Sequence, residues 1–213
     1  MPIIEYFYSA HSAFAYLGSK RLLQMCADHG CRLRHRPINL GLVVEAVGGR
    51  PFAGRSQEHV DYYFGREIER WAEWRKVPII SYRPTYHSNP LELGNGLLIA
   101  AAEAGEDVDH LSHLVLEAHW REDADIADPV TLARIATSMG LDAEVLLAAA
   151  MSAPVQALHQ RYTQEAINRS VFGSPTYFMN GDMFYGQDRL EMLERAITQP
   201  FRPTSWKNPK VAG

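Results

Sequence analysis

The chain has 213 residues, 46% of them hydrophobic and 22% charged, with a formal net charge of -4. This is the balance of an ordinary globular domain able to bury about 70% of its unfolded surface without a disulfide or metal staple. It holds no Lys/Arg run of the kind that tracks phosphates and no apolar stretch long enough to span a bilayer, so nucleic acid and membrane are not the expected partners.

The start, MPIIEYFYS, enters strand-like sequence with no basic flank, so no signal peptide is expected. Ile3 to Tyr8 is β-branched, aromatic and apolar on both faces, which predicts a strand inside a sheet. Ser9-Ala10-His11-Ser12 then leads into a helical pattern through Phe14, Leu17, Leu22, Met25 and Cys26, stopped by Gly30. Cys31 to Ile38 reads as a second strand, and Pro37 near its end suggests an edge or a terminus. The opening is therefore β-α-β, with parallel strands and a right-handed crossover. Cys26 and Cys31 lie five residues apart, which is not CxxC spacing, and buried or half-buried thiols are expected.

The middle of the chain reads as helical. Residues 56–76 present Val60, Tyr63, Phe64, Ile68, Trp71 and Ala72 on one face. Asn95 to Ala104 is a second segment, and Leu111, Leu114, Val115 and Ala118 form a stripe in a third. Asp128-Pro129 reads as a cap with proline at the first helical position; a short helix follows Asp142, and another runs from Pro154 to about Arg169. Strand character returns at Thr176–Met179; Asn180-Gly181 signals a hairpin, and Met183–Tyr185 is the return strand. Gly186-Gln187-Asp188-Arg189 opens a last amphipathic helix, and the tail from Pro200 is proline-rich and polar. The order β-α-β, helices, β-β-α predicts an α/β thioredoxin-like fold with a large all-helical insertion. Its boundaries fall at 1–40 and 166–200 for the discontinuous thioredoxin-like domain, 41–165 for the insertion and 201–213 for the tail.

Three elements can carry chemistry. Ser12 sits where the first helix begins, and a helix N-terminus stabilises anions such as a thiolate. Ser12 is no thiol, but its hydroxyl can donate to a thiolate on a bound cofactor; as a bland alternative it is an N-cap. Val171-Phe172-Gly173-Ser174-Pro175-Thr176 brings a proline into a strand start; a cis bond there would free the Ser174 backbone to pair with an extended peptide, although trans is the commoner isomer. Gln187 and Asp188 can bind an ammonium and carboxylate pair, or serve only as first-turn residues. His110 and His113 share a helix face without a third ligand nearby, so no metal is expected.

Together these stretches carry a family resemblance. Ser12 to Leu17, Val171 to Phe178 and Gly186 to Leu190, with Glu67-Ile68-Glu69-Arg70-Trp71 and Trp120, resemble the 2-hydroxychromene-2-carboxylate isomerases. That group is related to the kappa-class glutathione transferases and to disulfide oxidoreductases of the DsbA type. The resemblance implies glutathione as cofactor and a small aromatic acid as substrate. It implies that Ser12 hydrogen-bonds the glutathione sulfur, that Ser174, before Pro175, pairs its backbone with the cysteinyl unit, and that Gln187 and Asp188 hold the γ-glutamyl end. It further implies a substrate pocket near Tyr86 and a homodimer; the expected compartment is the cytoplasm. Tyr86 and Trp120 would form an aromatic wall for a flat substrate or simply pack the insertion against the sheet, and His11 is a candidate to tune the thiolate or donate a proton. This chain departs from the family at Ala13, where proline is usual, and at His11, where a hydrophobic residue is. Gly54 and Val60 stand where the family has asparagine and lysine, and Arg55 is a candidate replacement for a carboxylate contact. Two other readings use the same features: a kappa-like glutathione transferase or peroxidase, and a non-enzymatic thiol- or peptide-binding module.

Overall fold

The computed structural model describes residues 1–50 and 54–210; the last three residues of the expected tail lie outside that range. Its sheet has the order β2-β1-β3-β4. β1 (Ile3–Tyr8) runs parallel to β2 (Arg32–Pro37) and antiparallel to β3 (Thr176–Met179), which pairs in turn with β4 (Asp182–Tyr185). β1 is thus central, as its two-faced apolar pattern requires, and the proline-ended β2 lies at an edge.

Alternation along the strands separates two faces. Tyr6, Tyr8 and Tyr177 share one, with Tyr6 and Tyr8 stacked at 4.1 Å and Tyr6 and Tyr177 at 5.3 Å. Phe7 and Phe178 meet edge to face on the other, where the Arg169 guanidinium lies 3.7 Å from the Phe178 ring centroid. The crossover helix α1 (Ala13–His29) buries Ala15, Tyr16, Leu17, Leu22, Met25 and Cys26. Gly30 ends it at φ 59°, where the Cys31 N–H donates back to Cys26 O at 2.8 Å.

Between β2 and β3 the chain is helical among the described residues: α2 (Leu40–Ala46), α3 (Gln57–Asp61), α4 (Glu67–Arg75), α5 (Glu92–Ala104), α6 (Val108–Arg121), α7 (Pro129–Ser138), α8 (Ala143–Ala150) and α9 (Ala153–Asn168). Asp128 caps α7 with both carboxylate oxygens, and Pro129 occupies its first turn, as its sequence predicts. The expected single helix over 56–76 is instead α3 and α4 joined by a π-helical turn at Tyr62–Arg66. α5 begins three residues earlier than Asn95, and α2 was not expected. After β4, a 3-10 turn (Gln187–Arg189) leads into α10 (Leu190–Thr198).

This is the thioredoxin arrangement with a helical segment inserted between β2 and β3. Where one unit ends and the other begins, at residues 40 and 166, is our proposed division.

Candidate active site

The turn from β1 into α1 is held from three directions. Ser12 N–H donates to Ser9 O at 3.0 Å, and Ala10 N–H donates to the side-chain carbonyl of Asn95 on α5 at 3.0 Å. Asn95 is fully buried and also donates to Ile38 O at 3.1 Å, so one side chain ties this turn to the end of β2. The Trp120 indole N–H, on α6, donates to His11 O at 2.8 Å.

Ser12 is the N-cap of α1, its Oγ accepting from Ala15 N at 3.2 Å. The same hydroxyl donates to Ser174 O at 3.1 Å, and Ser174 Oγ accepts from Ser9 N at 3.1 Å. The Ser174–Pro175 bond is cis. Strand β3 thus enters against the N-terminus of α1, with both serines nearly buried.

A cavity of about 740 Å³ opens over this junction. Its aromatic lining comes from Phe14, Tyr63, Phe64, Trp120, Phe172 and Tyr185. Arg50, Arg55 and Arg83 also line it, against the acid Glu45. Arg55 Nη1 donates to His59 Nε2 at 2.7 Å, while its buried Nε has no partner among the described residues. Burial, then the neighbouring Tyr185 and Asp188, raises the Tyr63 phenol above its usual range. On the far wall His11 and His87 lie 4.6 Å apart by ring centroid, and His87 is bonded to His119 behind it. Desolvation pushes His11 down to about 3 and His87 to about 2, so both are neutral near pH 7.

Of the residues singled out from sequence, His11, Ser12, Arg55, Trp120 and Ser174 line the cavity together. Pro175, Gln187, Asp188 and Tyr86 are not among its described lining residues. Tyr86 stands 44% exposed, and its neighbour His87 takes the position beside Trp120, at 5.3 Å by ring centroid. Gln187 is 1% exposed, its side-chain carbonyl accepting from Arg75 Nε at 3.2 Å and its main-chain carbonyl from Arg75 Nη2 at 3.2 Å. Asp188 is the more accessible of the pair, 3.4 Å from the Arg189 guanidinium. Of the two residues expected to stand in for the family's asparagine and lysine, Val60 lines the cavity as an apolar wall. His113, by contrast, sits in the core bonded to Ser19 Oγ at 2.8 Å.

Sequence reasoning missed Tyr63 and Phe64 as site residues, reading them only as a helix face, and it missed the arginines at 50 and 83. The local signal for Tyr63 was only its place on the apolar face of residues 56–76. No local signal marks His119, whose role depends on the packing of α6 against the loop before α5.

This architecture is that of a DsbA-like thioredoxin domain, and the chain belongs to that family, whose profile matches residues 3–198. Among relatives, the 2-hydroxychromene-2-carboxylate isomerase of Pseudomonas sp. (strain C18) is 30% identical over 196 residues, covering 92% of this chain and 90% of its own. A solved 2-hydroxychromene-2-carboxylate isomerase superposes with a TM-score of 0.80 at 28% identity, over 92% of this chain and 95% of that one. The particular family is thus the 2-hydroxychromene-2-carboxylate isomerases. The fold is shared more widely: the cytosolic disulfide reductase DsbM from Pseudomonas aeruginosa, solved with GSH, has a TM-score of 0.62 at 19% identity over 93% of each chain.

Proposed function

We propose that the protein is a glutathione-dependent isomerase of 2-hydroxychromene-2-carboxylate-type aromatic acids, opening the chromene ring and allowing cis/trans isomerisation during aromatic hydrocarbon catabolism. The observation that carries this reading is the Ser12 hydroxyl at the α1 N-terminus, facing the Ser174 main chain on the floor of an aromatic cavity with an arginine lining. Ligand pockets for small molecules occupy roughly 300–1,000 Å³, and this one falls inside that range.

The donor set suits glutathione. An anionic tripeptide and an anionic aromatic acid both favour a cavity that Arg50, Arg55 and Arg83 line, and the buried Nε of Arg55 is a donor without an acceptor among the described residues. DsbM, of the same fold, has been solved with GSH. In this reading Ser12 turns its hydroxyl from Ser174 O to the sulfur, and Ser174, before Pro175, offers its main chain to the cysteinyl unit. Asp188 receives the γ-glutamyl ammonium, and Gln187, tied to Arg75, holds the turn that presents it.

Glutathione supplies a thiolate nucleophile when bound. The chain's own thiols cannot: Cys26 is buried with its thiol pushed up to about 12, and Cys31, also raised, lies beyond the opposite end of α1. By resemblance to DsbA-type oxidoreductases, Ser12 and Ala15 stand at the positions of the two cysteines, which argues against disulfide exchange. The aromatic walls take the flat ring, and the arginines its carboxylate. The setting this reading implies is a cytoplasmic homodimer.

The test is the absorbance change from chromene to benzylidenepyruvate, followed with and without glutathione. Turnover that ignores glutathione would reject the mechanism. Conjugation of a chlorodinitrobenzene-type electrophile without isomerisation would favour a kappa-like transferase instead.

A further inference from the structure

His87 on the cavity wall is ordered, through His119 behind it, by a main-chain carbonyl. His119 is fully buried on α6, and its Nδ1 lies 3.1 Å from Ala124 O. A carbonyl only accepts, so Nδ1 carries the proton, and the neutral ring has its lone pair on Nε2. That Nε2 lies 2.9 Å from His87 Nδ1. The hydrogen bond between them must therefore be donated by His87, which leaves the His87 lone pair on its other nitrogen, Nε2. Burial keeps both rings neutral: desolvation is the largest influence on each and outweighs Asp123 and Asp125, which act on His119 in the other direction. Facing His87 are Arg83 from its own loop, His11 from the β1–α1 turn and Trp120 from α6. His87 itself lines the cavity with Ser12 and Ser174.

We propose that His87 is the proton-transferring catalytic residue of this cavity, with His119 its positioning residue, acting on the hemiketal hydroxyl of the substrate. The inference rests on the isomerase reading above. A 2-hydroxychromene-2-carboxylate carries a hydroxyl and the ring oxygen on one carbon. His87 Nε2 takes the hydroxyl proton; the bond from that carbon to the ring oxygen breaks, its electron pair leaving with the oxygen as phenolate, and the former hydroxyl becomes a ketone. The imidazolium then returns the same proton to the phenolate, so protons and electrons balance. A phenol holds its proton far more tightly than a buried imidazole does, which makes the return downhill. The substrate carboxylate, brought beside the ring, favours the transient positive charge that Arg83 opposes.

The experiment pairs kinetics with a measurement that needs no substrate. Nitrogen chemical shifts at pH 7 are expected to show His87 and His119 both neutral and both protonated on Nδ1. A His87 protonated on Nε2, or doubly protonated, overturns the proposal even where a variant fails to fold. In the chromene assay with glutathione, His87→Gln is expected to lower kcat by about 10²–10³-fold, with glutathione affinity by calorimetry nearly unchanged. His119→Asn is expected to lose less, with its His87 shifted toward the other tautomer. His87→Gly should regain rate on adding imidazole, more so with more basic imidazoles. Full activity in a folded His87→Gln protein, beside active wild type, overturns this inference alone. Wild type that isomerises no chromene overturns the isomerase reading and this inference with it.

Discussion

Ser12 has one hydroxyl and two structural partners, and this makes its substitution informative in two separate ways. The oxygen caps α1 through Ala15 N and satisfies Ser174 O through its proton. Losing an N-cap costs about 0.5–2 kcal/mol, and leaving a nearly buried carbonyl unpaired costs about 1–3 kcal/mol. Ser12→Ala is therefore expected to lower the melting temperature by several degrees, at roughly 2–4 °C per kcal/mol for a chain of this size. If the hydroxyl also steadies a thiolate, glutathione-dependent turnover falls by about 10²-fold or more, well beyond what a few degrees of stability could cause. Ser12→Thr keeps the hydroxyl and should keep most of both. Thermal unfolding and turnover, measured on the same preparations, separate cap from catalyst; equal turnover in the Ala variant would leave the serine only a cap. At this scale the sequence was informative where a residue's role is local. Ser12 before an apolar-periodic run and Ser174 before a proline at a strand start both announce themselves. His87 and His119 do not, because they are 32 residues apart and meet only once α6 packs against the loop before α5.

Helices and strands followed their periodicity closely, and the exceptions have physical causes. β3 begins and ends where its pattern does, because Pro175 and the Asn180-Gly181 turn bound it chemically. α2 has only seven residues and buries only Val43, too little for a periodic stripe, although Asn39 caps it as a lone signal. The break between α3 and α4 comes as a π turn, which lets Tyr63 and Phe64 reach the cavity while Ile68 and Ala72 stay in the core. Two contacts between elements are directly testable. At Gly96 on α5, a Cβ would meet Ala150 O at 2.5 Å and Gln156 Nε2 at 3.0 Å. Alanine gains about 1 kcal/mol of helix propensity there, but overpacking costs about 1–3 kcal/mol. It also disturbs the 2.7 Å Gln156–Ala150 hydrogen bond, worth about 1 kcal/mol. The clash wins because a backbone carbonyl cannot swing aside, so Gly96→Ala is expected to lower the urea midpoint. Arg75, at the end of α4, donates to Gln187 twice and to Glu191 at 2.7 Å. Arg75→Ala frees the turn bearing Asp188; calorimetry should show weaker glutathione binding with a change in kcat much smaller than that in affinity. Unaltered binding would detach this turn from the cofactor site.

Across the whole molecule, histidines held neutral by burial tie stability to pH. His11, His87, His113, His119 and His159 all have desolvation as their largest influence, and all are lowered from the usual imidazole range. They span the cavity wall, the α1–α6 contact and the α5–α9 contact, so the effect belongs to no single element. Well above about pH 6.5 these rings are neutral in both folded and unfolded chains and contribute little to pH dependence. As pH falls below that, the unfolded chain binds protons that the folded one refuses, and mass action favours unfolding. For His11 and His87 the window extends down to about 3 and about 2, so their loss continues through the whole mildly acidic range. Each such histidine contributes a slope of up to about 1.4 kcal/mol per pH unit. Carboxylates held low by hydrogen bonds, such as Asp123 and Asp128, begin to act only nearer their own ordinary range, so they leave the first part of the decline to the histidines. Urea unfolding at pH 8, 7, 6 and 5 should accordingly show little change between the first two values and a steepening loss through the last two. His113 lies outside the cavity, and His113→Gln removes one titrating group without touching the proposed chemistry. Its stability at pH 8 is expected to fall through loss of the Ser19 contact, yet its decline toward pH 5 should be shallower than that of wild type by up to about 1.4 kcal/mol per pH unit. Parallel declines in the two proteins would mean that His113 titrates alike in folded and unfolded chains, and that burial at the α1–α6 contact does not hold it neutral.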